Sequence, residues 1–412
     1  MAIGRFPRIG SLALVSAIVV TLIGAGAAPA LAAGPCIVKN RTSGVVYPRS
    51  TGDSLQTAMD DAVEETVLVV RGRCVGSYTI ERSLTIVGVA TDRYPKATLD
   101  AAGGPSVVTI LAGAVSLERL KITGGRGTGT FESGGIYNGG GGNLVLVKSW
   151  VTGNRSEGSG GGIYSVGDLL RLRDSRVSGN RGGLGGGISI AGTLVLRGRS
   201  SVDHNFAGNG GGGIYGGKVE MYDASRVSDN VSFNNGGGIL GSIVEMHDTA
   251  RITHNQAGTV RGHGSAGGGV SYVGSLILED SSRITMNVSL SEGGGVYLAT
   301  GTIEMSGDSR ISRNHAPTGG GVHSFEGHLV MSGRAKVANN VARRDGGGIW
   351  DQDGFVTMTE ESSIVRNIAQ GGTPEAPDGI GGGIRACRTT LTGVVAGVNV
   401  ADNVPDDIGT CP

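Results

Sequence analysis

The residues best suited to bind a ligand recur at one position of a short repeat. Ten segments of the 412-residue chain place an isoleucine or valine directly after glycines, and the next residue is tyrosine or tryptophan in five of them, although only 4% of the chain is aromatic. Such stacked rings could form a platform for sugar rings, or they could serve only as cross-strand packing. The predicted ligand-binding residues are Tyr137, Tyr164, Tyr215, Tyr297, His323, Trp350 and Arg385.

Two carboxylates follow the last aromatic residue of this column. The segment "WDQDG" offers Asp351 and Asp353, and paired carboxylates could hydrolyse a glycosidic bond or hold calcium. Aspartates before a glycine are also ordinary turn residues. The equivalent positions of the neighbouring repeats hold Ser324 and Ala386, so no acidic cluster is expected, and the sequence predicts no metal site and no cofactor. Asp351, Asp353 and His323 are therefore only weak catalytic candidates.

These side chains belong to a repeat of about 26 residues. The isoleucine or valine recurs from Ile136 to Ile384, mostly at steps of 25–27 residues, and an asparagine column keeps the same pace from Asn154 to Asn403. Each copy has three short extended patches, as in "GGGIY", "LRL" and "SRVSGN", whose alternation is typical of strands. If each patch stacks on the equivalent patch of the next repeat, the result is an all-β fold, a right-handed parallel β-helix with three sheets. We expect about 13 rungs, where a rung is one turn of the β-helix.

The columns of the repeat have different expected positions. The aligned isoleucine and valine residues should stack inside the β-helix, the residue after each of them should face outward, and the glycines should form a corner. The asparagines should occupy a left-handed turn, which this residue type tolerates. A column of cations should face solvent beside aspartates that could offset its self-repulsion. The cations are Arg176, Arg226, Arg251, Arg283, Arg310 and Lys336, and the aspartates are Asp174, Asp223, Asp248, Asp280 and Asp308.

The chain begins with the features of an export signal. Arg5 and Arg8 precede an apolar run, and Ala30-Leu31-Ala32 is typical of a cleavage site. We expect residues 1–32 to be a cleaved Sec-type signal peptide, with an uncleaved membrane anchor as the alternative. No later segment is predicted to span a membrane. The expected location is therefore extracellular or at the cell surface.

The remainder divides into two predicted parts. Residues 33–133 should contain a capping helix in "DSLQTAMDDAVEE" and the first, irregular rungs. Leu55, Met59 and Val63 would form the apolar face of that helix and cover the open end of the core. Residues 134–412 should contain about ten regular repeats and a C-terminal cap.

Cysteine usage and charge narrow the class of protein further. Four cysteines allow three connectivities, and because the ends of an elongated chain cannot meet, we expect disulfides Cys36–Cys74 and Cys387–Cys411. The chain has 35 basic and 35 acidic residues. Such a balance gives no reason to expect nucleic acid or an anionic membrane as a partner.

Two protein families resemble this sequence. The capping helix followed by "VLVVRGRCVGSYTIERSLTIVG", "ATLDAAGG" and "VSLERLKITGG" resembles the start of pectin-lyase-like β-helix proteins. The "GGGI" and "IxxN" repeats are similar to those of chlamydial polymorphic outer-membrane proteins, with glycine in place of that family's alanine and isoleucine or valine in place of its phenylalanine. The resemblance covers roughly residues 54–411 and implies a β-helix. It implies no single activity, because β-helices serve as lyases, hydrolases, epimerases, adhesins and structural rods.

The sequence favours a secreted, non-enzymatic β-helix protein that binds an extracellular polysaccharide or a surface protein of a host or neighbouring cell. One alternative is a polysaccharide-active enzyme, either a lyase or a glycoside hydrolase. Another is a passive structural spacer. Regular columns favour the binding protein, because an enzyme should bring charged side chains together in one groove. The sequence does not predict an oligomeric state.

Overall fold

The chain forms a right-handed parallel β-helix of about 12 turns, close to the predicted 13. The computed structural model describes residues 36–47, 54–129, 132–258, 266–371 and 379–411. The predicted signal peptide lies outside the described residues. In the described part of the chain, no helix has the length and apolar character needed to cross a membrane.

The first sheet, called the long sheet below, has 22 strands. They pair in parallel, except that Ile37–Asn40 pairs antiparallel with Val46–Tyr47 and with Thr66–Arg71. The strands of the long sheet are Ile37–Asn40, Val46–Tyr47, Thr66–Arg71, Tyr78–Ile80, Leu84–Val89, Val108–Ile110, Val115–Glu118, Ile136–Asn138, Leu144–Val147, Ile163–Ser165, Leu169–Arg173, Ile188–Arg197, Ile214–Met221, Ile239–Met246, Val270–Leu278, Val296–Met305, Val322–Met331, Ile349–Asp351, Phe355–Met358, Ile384–Ala386, Thr390–Thr392 and Ile408–Thr410.

The other two sheets are wholly parallel. The arginine sheet has 13 strands and the narrow sheet has 10. The strands of the arginine sheet are Arg73–Val75, Ala97–Asp100, Leu120–Thr123, Trp150–Thr152, Arg176–Ser178, Ser201–Asp203, Arg226–Ser228, Arg251–Thr253, Arg283–Thr285, Arg310–Ser312, Lys336–Ala338, Ser363–Val365 and Val400–Ala401. The strands of the narrow sheet are Arg126–Gly127, Arg155–Ser156, Arg181–Leu184, Phe206–Gly210, Val231–Ser232, Gln256–Ala257, Val288–Ser289, His315–Ala316, Val341–Ala342 and Ile368–Ala369.

The number of sheets is the predicted three. The three extended patches of each repeat, however, do not each form a separate sheet as predicted. The first two patches of each repeat lie in the same sheet, and in the middle of the β-helix they fuse into one strand, such as Ile188–Arg197. The third sheet forms from residues just after the asparagine, such as Arg155–Ser156. A strand of two residues is too short to show alternation, so no pattern in the sequence marked it.

The core column lies where the sequence predicted it. All ten isoleucine and valine residues after the glycines are at most 1% exposed. Each fully buried aliphatic side chain stabilises the fold by about 1.5–3 kcal/mol relative to an exposed one. The glycines before them form the predicted corner: Gly211 has a φ of +63°, and a Cβ on Gly212 would lie 2.3 Å from the carbonyl oxygen of Gly237 in the next rung.

The asparagine column is buried. The prediction that the asparagines themselves adopt the left-handed conformation is wrong, because the left-handed residue lies one position earlier. The residue before the asparagine adopts that conformation, as Asp229 does with a φ of +57°. Asn230 is fully buried, and both its backbone N–H and its Nδ2 donate to Oδ1 of Asn255 at 3.0 Å. The same contact repeats from rung to rung and ends where Asn403 donates to Oδ1 of Asp407. We call this continuous chain of amides the asparagine ladder.

The N-terminal end of the core is covered by a helix, Ser54–Asp60, which contacts strands Ile37–Asn40 and Tyr78–Ile80. Leu55 and Met59 are buried as predicted, whereas Val63 lies beyond the helix end and is 65% exposed, so its predicted place on the apolar face is wrong. The two expected cysteine pairs, Cys36–Cys74 and Cys387–Cys411, are confirmed.

Candidate functional site

The predicted ligand-binding column follows the long sheet in register. Tyr297 pairs with His323, His323 with Trp350, and Trp350 with Arg385 on successive strands. Their neighbours on either side along each strand are buried, and because side chains alternate along a strand, this column lies on the outer face of the sheet. Tyr137 and Tyr164 occupy the same column further toward the N-terminus, with Ser189 separating them from Tyr215.

Four rings form a compact cluster that we call the aromatic ridge: Tyr297, His323, Phe325 and Trp350. The centroids of Tyr297 and His323 lie 5.7 Å apart and those of His323 and Trp350 lie 4.2 Å apart, with interplanar angles of 18° and 10°. Phe325 meets the other three rings edge-on. Offset stacks and edge contacts of this kind stabilise aromatic clusters beyond simple burial.

His323 lies within the ridge and is only 2% exposed. Burial lowers the pKa of its imidazole to about 3, and the nearby positive charge of Arg344 acts in the same direction. Among the described residues, no hydrogen-bond partner reaches its buried Nδ1. At neutral pH the ring is therefore uncharged, and it is stacked between the rings of Tyr297 and Trp350.

Charged side chains border the ridge at the glycine corner. Glu292 is half-buried, and burial raises the pKa of its carboxyl. Burial also raises the pKa of Tyr297, with a further contribution from the charge of Glu292. Arg385 forms an ion pair with Asp345, and both side chains are mostly buried. The ridge thus lies beside the carboxyl of Glu292, whose pKa is raised, and beside the ion pair of Arg385 with Asp345.

Glu292, Asp345 and Phe325 were not among the site residues predicted from the sequence. The first two each directly precede a glycine triplet, and an acid at that position was the available signal. Phe325 stands two residues after His323 in one strand, so strand alternation places both on the same face. The direction of its ring depends on packing, which alternation does not specify.

A recess of about 360 Å³ continues the column on the N-terminal side of the ridge. Tyr215 and Tyr297 stand at its two ends, and the smaller Leu240 and Ser271 line it between them. The two tyrosines are separated by three strand spacings, about 14 Å. Tyr137 and Tyr164 stack separately, with centroids 5.8 Å apart, outside this recess.

Asp351 and Asp353 have separate partners. Asp351 is 2% exposed, and its Oδ2 accepts hydrogen bonds from the N–H of Gly354 at 2.9 Å and from the hydroxyl of Thr389 at 2.6 Å. Burial raises the pKa of this carboxyl despite those bonds. Asp353 instead forms an ion pair with Arg388. The contact with Gly354 is the one expected of a turn aspartate.

Within the described ranges, no three His, Cys, Asp or Glu side chains lie together as a group that could hold a metal ion.

No protein-family model matches the chain, and no curated protein or solved structure matches it either. The β-helix itself is the only part of the family resemblance that the structure supports.

Proposed function

We propose that this protein is a secreted β-helix that binds an extracellular carbohydrate along the aromatic ridge and the recess beside it. The observation that carries the proposal is the stack of Tyr297, His323 and Trp350, continued by a recess that ends at Tyr215. Ligand sites are typically concave and aromatic with a few polar groups at fixed positions. The ion pair of Arg385 with Asp345 supplies such groups at the end of the ridge.

Extracellular location is part of the proposal and has separate support. The two disulfides suit an oxidising compartment, and the first 32 residues have the composition of a signal peptide. Mass spectrometry of the exported protein tests this directly. A mature N-terminus near Ala33 supports secretion, whereas an intact Met1 in the membrane fraction contradicts cleavage.

Binding is tested by screening the mature protein against immobilised neutral and acidic glycans. Trp350→Ala and Tyr297→Ala should abolish the binding of any glycan held at the ridge. Phe355→Ala is the matched control, because Phe355 is an exposed aromatic of the long sheet outside the column. A panel without any ligand would favour a passive spacer. Binding that survives both ridge variants would place the ligand elsewhere.

A polysaccharide-active enzyme is the second candidate, favoured by one observation. Glu292 is half-buried beside Tyr297, and its raised pKa suits a carboxylic acid that donates a proton to a leaving sugar. The earlier candidates have less support, because His323 remains neutral and Asp351 is engaged with Gly354 and Thr389. New reducing ends that disappear in Glu292→Gln would establish the enzyme. Unchanged glycans after prolonged incubation would exclude it for that panel.

A further inference from the structure

We propose that a second face of the β-helix binds an acidic polysaccharide whose carboxylates lie along a ladder of cations. This cation ladder occupies equivalent positions on five consecutive strands of the arginine sheet. Its members are Arg226, Arg251, Arg283, Arg310 and Lys336. Neighbouring strands lie about 4.8 Å apart, so the ladder presents one positive charge at each such interval. The whole chain has a formal charge of zero, which makes this a local concentration.

The aspartates that the sequence placed near the cation ladder form no direct ion pairs with it, although Arg310 and Lys336 add to the larger effect of Arg334 in lowering the pKa of Asp308. In the described ranges, no carboxylate lies within ion-pair distance of any of its five members. Asp248 and Asp280 instead accept backbone N–H groups of the preceding rung at 2.8 Å. Asp308 pairs with Arg334 at 2.7 Å. The predicted charge compensation is therefore absent as direct pairing.

Two nitrogens within the cation ladder also lack protein partners. The Nε atoms of Arg283 and Arg310 are buried, and among the described residues no acceptor lies within hydrogen-bond distance of them. Arg176, an earlier member of the same column, shows the contrasting case, because Asp203 pairs with it at 2.5 Å. A stack of like charges destabilises the protein that carries it, and a bound polyanion would remove that repulsion.

The repeated cations and the neighbouring side chains favour an acidic polysaccharide. A chain of uronic acids carries one carboxylate per sugar ring, and arginine forms strong charge-assisted hydrogen bonds with carboxylates. Beside the ladder, Thr253, Thr285 and Ser312 form a parallel column of hydroxyls that can bond to sugar hydroxyls. Duplex DNA has one phosphate per strand for every 3.4 Å of helix axis, a shorter interval than the roughly 4.8 Å between the cations of the ladder.

Galacturonate oligomers of three, five and eight residues provide the test, with the full-length mature protein and isothermal titration calorimetry at low salt. Affinity should rise from the trimer to the pentamer and then level off, because the ladder has five cations. The triple variant Arg251→Gln, Arg283→Gln, Arg310→Gln should bind the pentamer roughly tenfold more weakly, as expected for the loss of three exposed ion pairs. Its circular dichroism should match that of the parent.

Matched controls separate this site from general charge effects. Arg171→Gln, Arg173→Gln and Arg199→Gln together remove the same charge from exposed positions outside the ladder, and pentamer affinity should stay unchanged. Methyl-esterified oligomers should not bind, and Trp350→Ala should have no effect. Equal losses in both triple variants, or equal binding of the methyl ester, would overturn the proposal. Tighter ladder-dependent binding of single-stranded DNA or phosphatidylserine vesicles would also overturn it.

Discussion

Removing one amide from the asparagine ladder should destabilise the β-helix and divide its unfolding into two steps. The side chain of Asn230 takes part in four hydrogen bonds: it accepts from the backbone N–H and the Nδ2 of Asn205, and it donates to the carbonyl of Val202 and to Oδ1 of Asn255. A typical intramolecular hydrogen bond contributes about 1 kcal/mol net. Asn230→Ala should therefore reduce the free energy of unfolding by roughly 4 kcal/mol.

The strongest single contribution comes from a backbone group left without an acceptor. The N–H of Asn205 is buried and loses its partner entirely in Asn230→Ala, whereas its Nδ2 keeps the carbonyl of Val177 at 3.0 Å. Because each rung of a solenoid contacts only its neighbours, weakening one interface should let the two sides unfold separately. The loss should thus appear both in stability and in cooperativity.

The two tryptophans of the chain allow both effects to be measured. Trp150 lies before the substituted rung and Trp350 lies after it, so Trp350→Phe and Trp150→Phe each leave a reporter on one side. Urea unfolding followed by fluorescence should give coincident transitions in the parent and separated transitions with Asn230→Ala. Asn234→Ala, on the same rung but outside the ladder, is the control. A loss below about 1 kcal/mol, or one equal to that of the control, would refute the reasoning.

Three further predictions concern the core and the groups beside the ridge. Ile214→Asp places a charge at a fully buried position and should lower the melting temperature strongly; an unchanged value would contradict the inward column. Because the pKa of His323 is lowered to about 3, parent stability should fall as pH drops below 6.5, and urea titrations of His323→Phe should show a flatter decline. Because the pKa of Glu292 is raised, parent stability should fall as pH rises above 4.5 through the folded-state value, and Glu292→Gln should lack that fall. Identical pH profiles for parent and variant would contradict either assignment.

The inward column of isoleucine and valine and the outward column beside it were predictable, because they depend only on the length of the repeat and on the alternation of side chains along a strand. The spacing of Ile214 and its equivalents fixed both the rungs and the inward face, and strand alternation then placed Tyr215 and its equivalents outside. The ridge was only partly predictable. The pairing of Tyr297 with His323 follows from the repeat, whereas the burial of His323 depends on Phe325 and on ring orientations that no repeat specifies.

Other features needed the three-dimensional structure because contacts between rungs override local preference. Asparagine favours the left-handed region locally, yet Asn230 is held in a different conformation by its contacts with the rungs before and after it, and Asp229 takes the turn instead. The raised pKa of Glu292 arises from burial in the folded chain. The separate partners of Asp351 and Asp353 likewise depend on residues more than 30 positions away, Thr389 and Arg388.

The asparagine ladder has a direction, and its two ends are chemically different. At the N-terminal end, Oδ1 of Asn154 accepts a hydrogen bond from the N–H of Gly125. At the C-terminal end, the carboxylate of Asp407 accepts hydrogen bonds from Asn403, and because a carboxylate has no N–H to donate, the chain of amides stops there. Every interior rung both accepts and donates in the same way. Whole repeats could therefore be duplicated or deleted between the ends without changing either terminus. The asparagine ladder thus sets no limit of its own on the number of rungs, provided that the asparagines stay in phase.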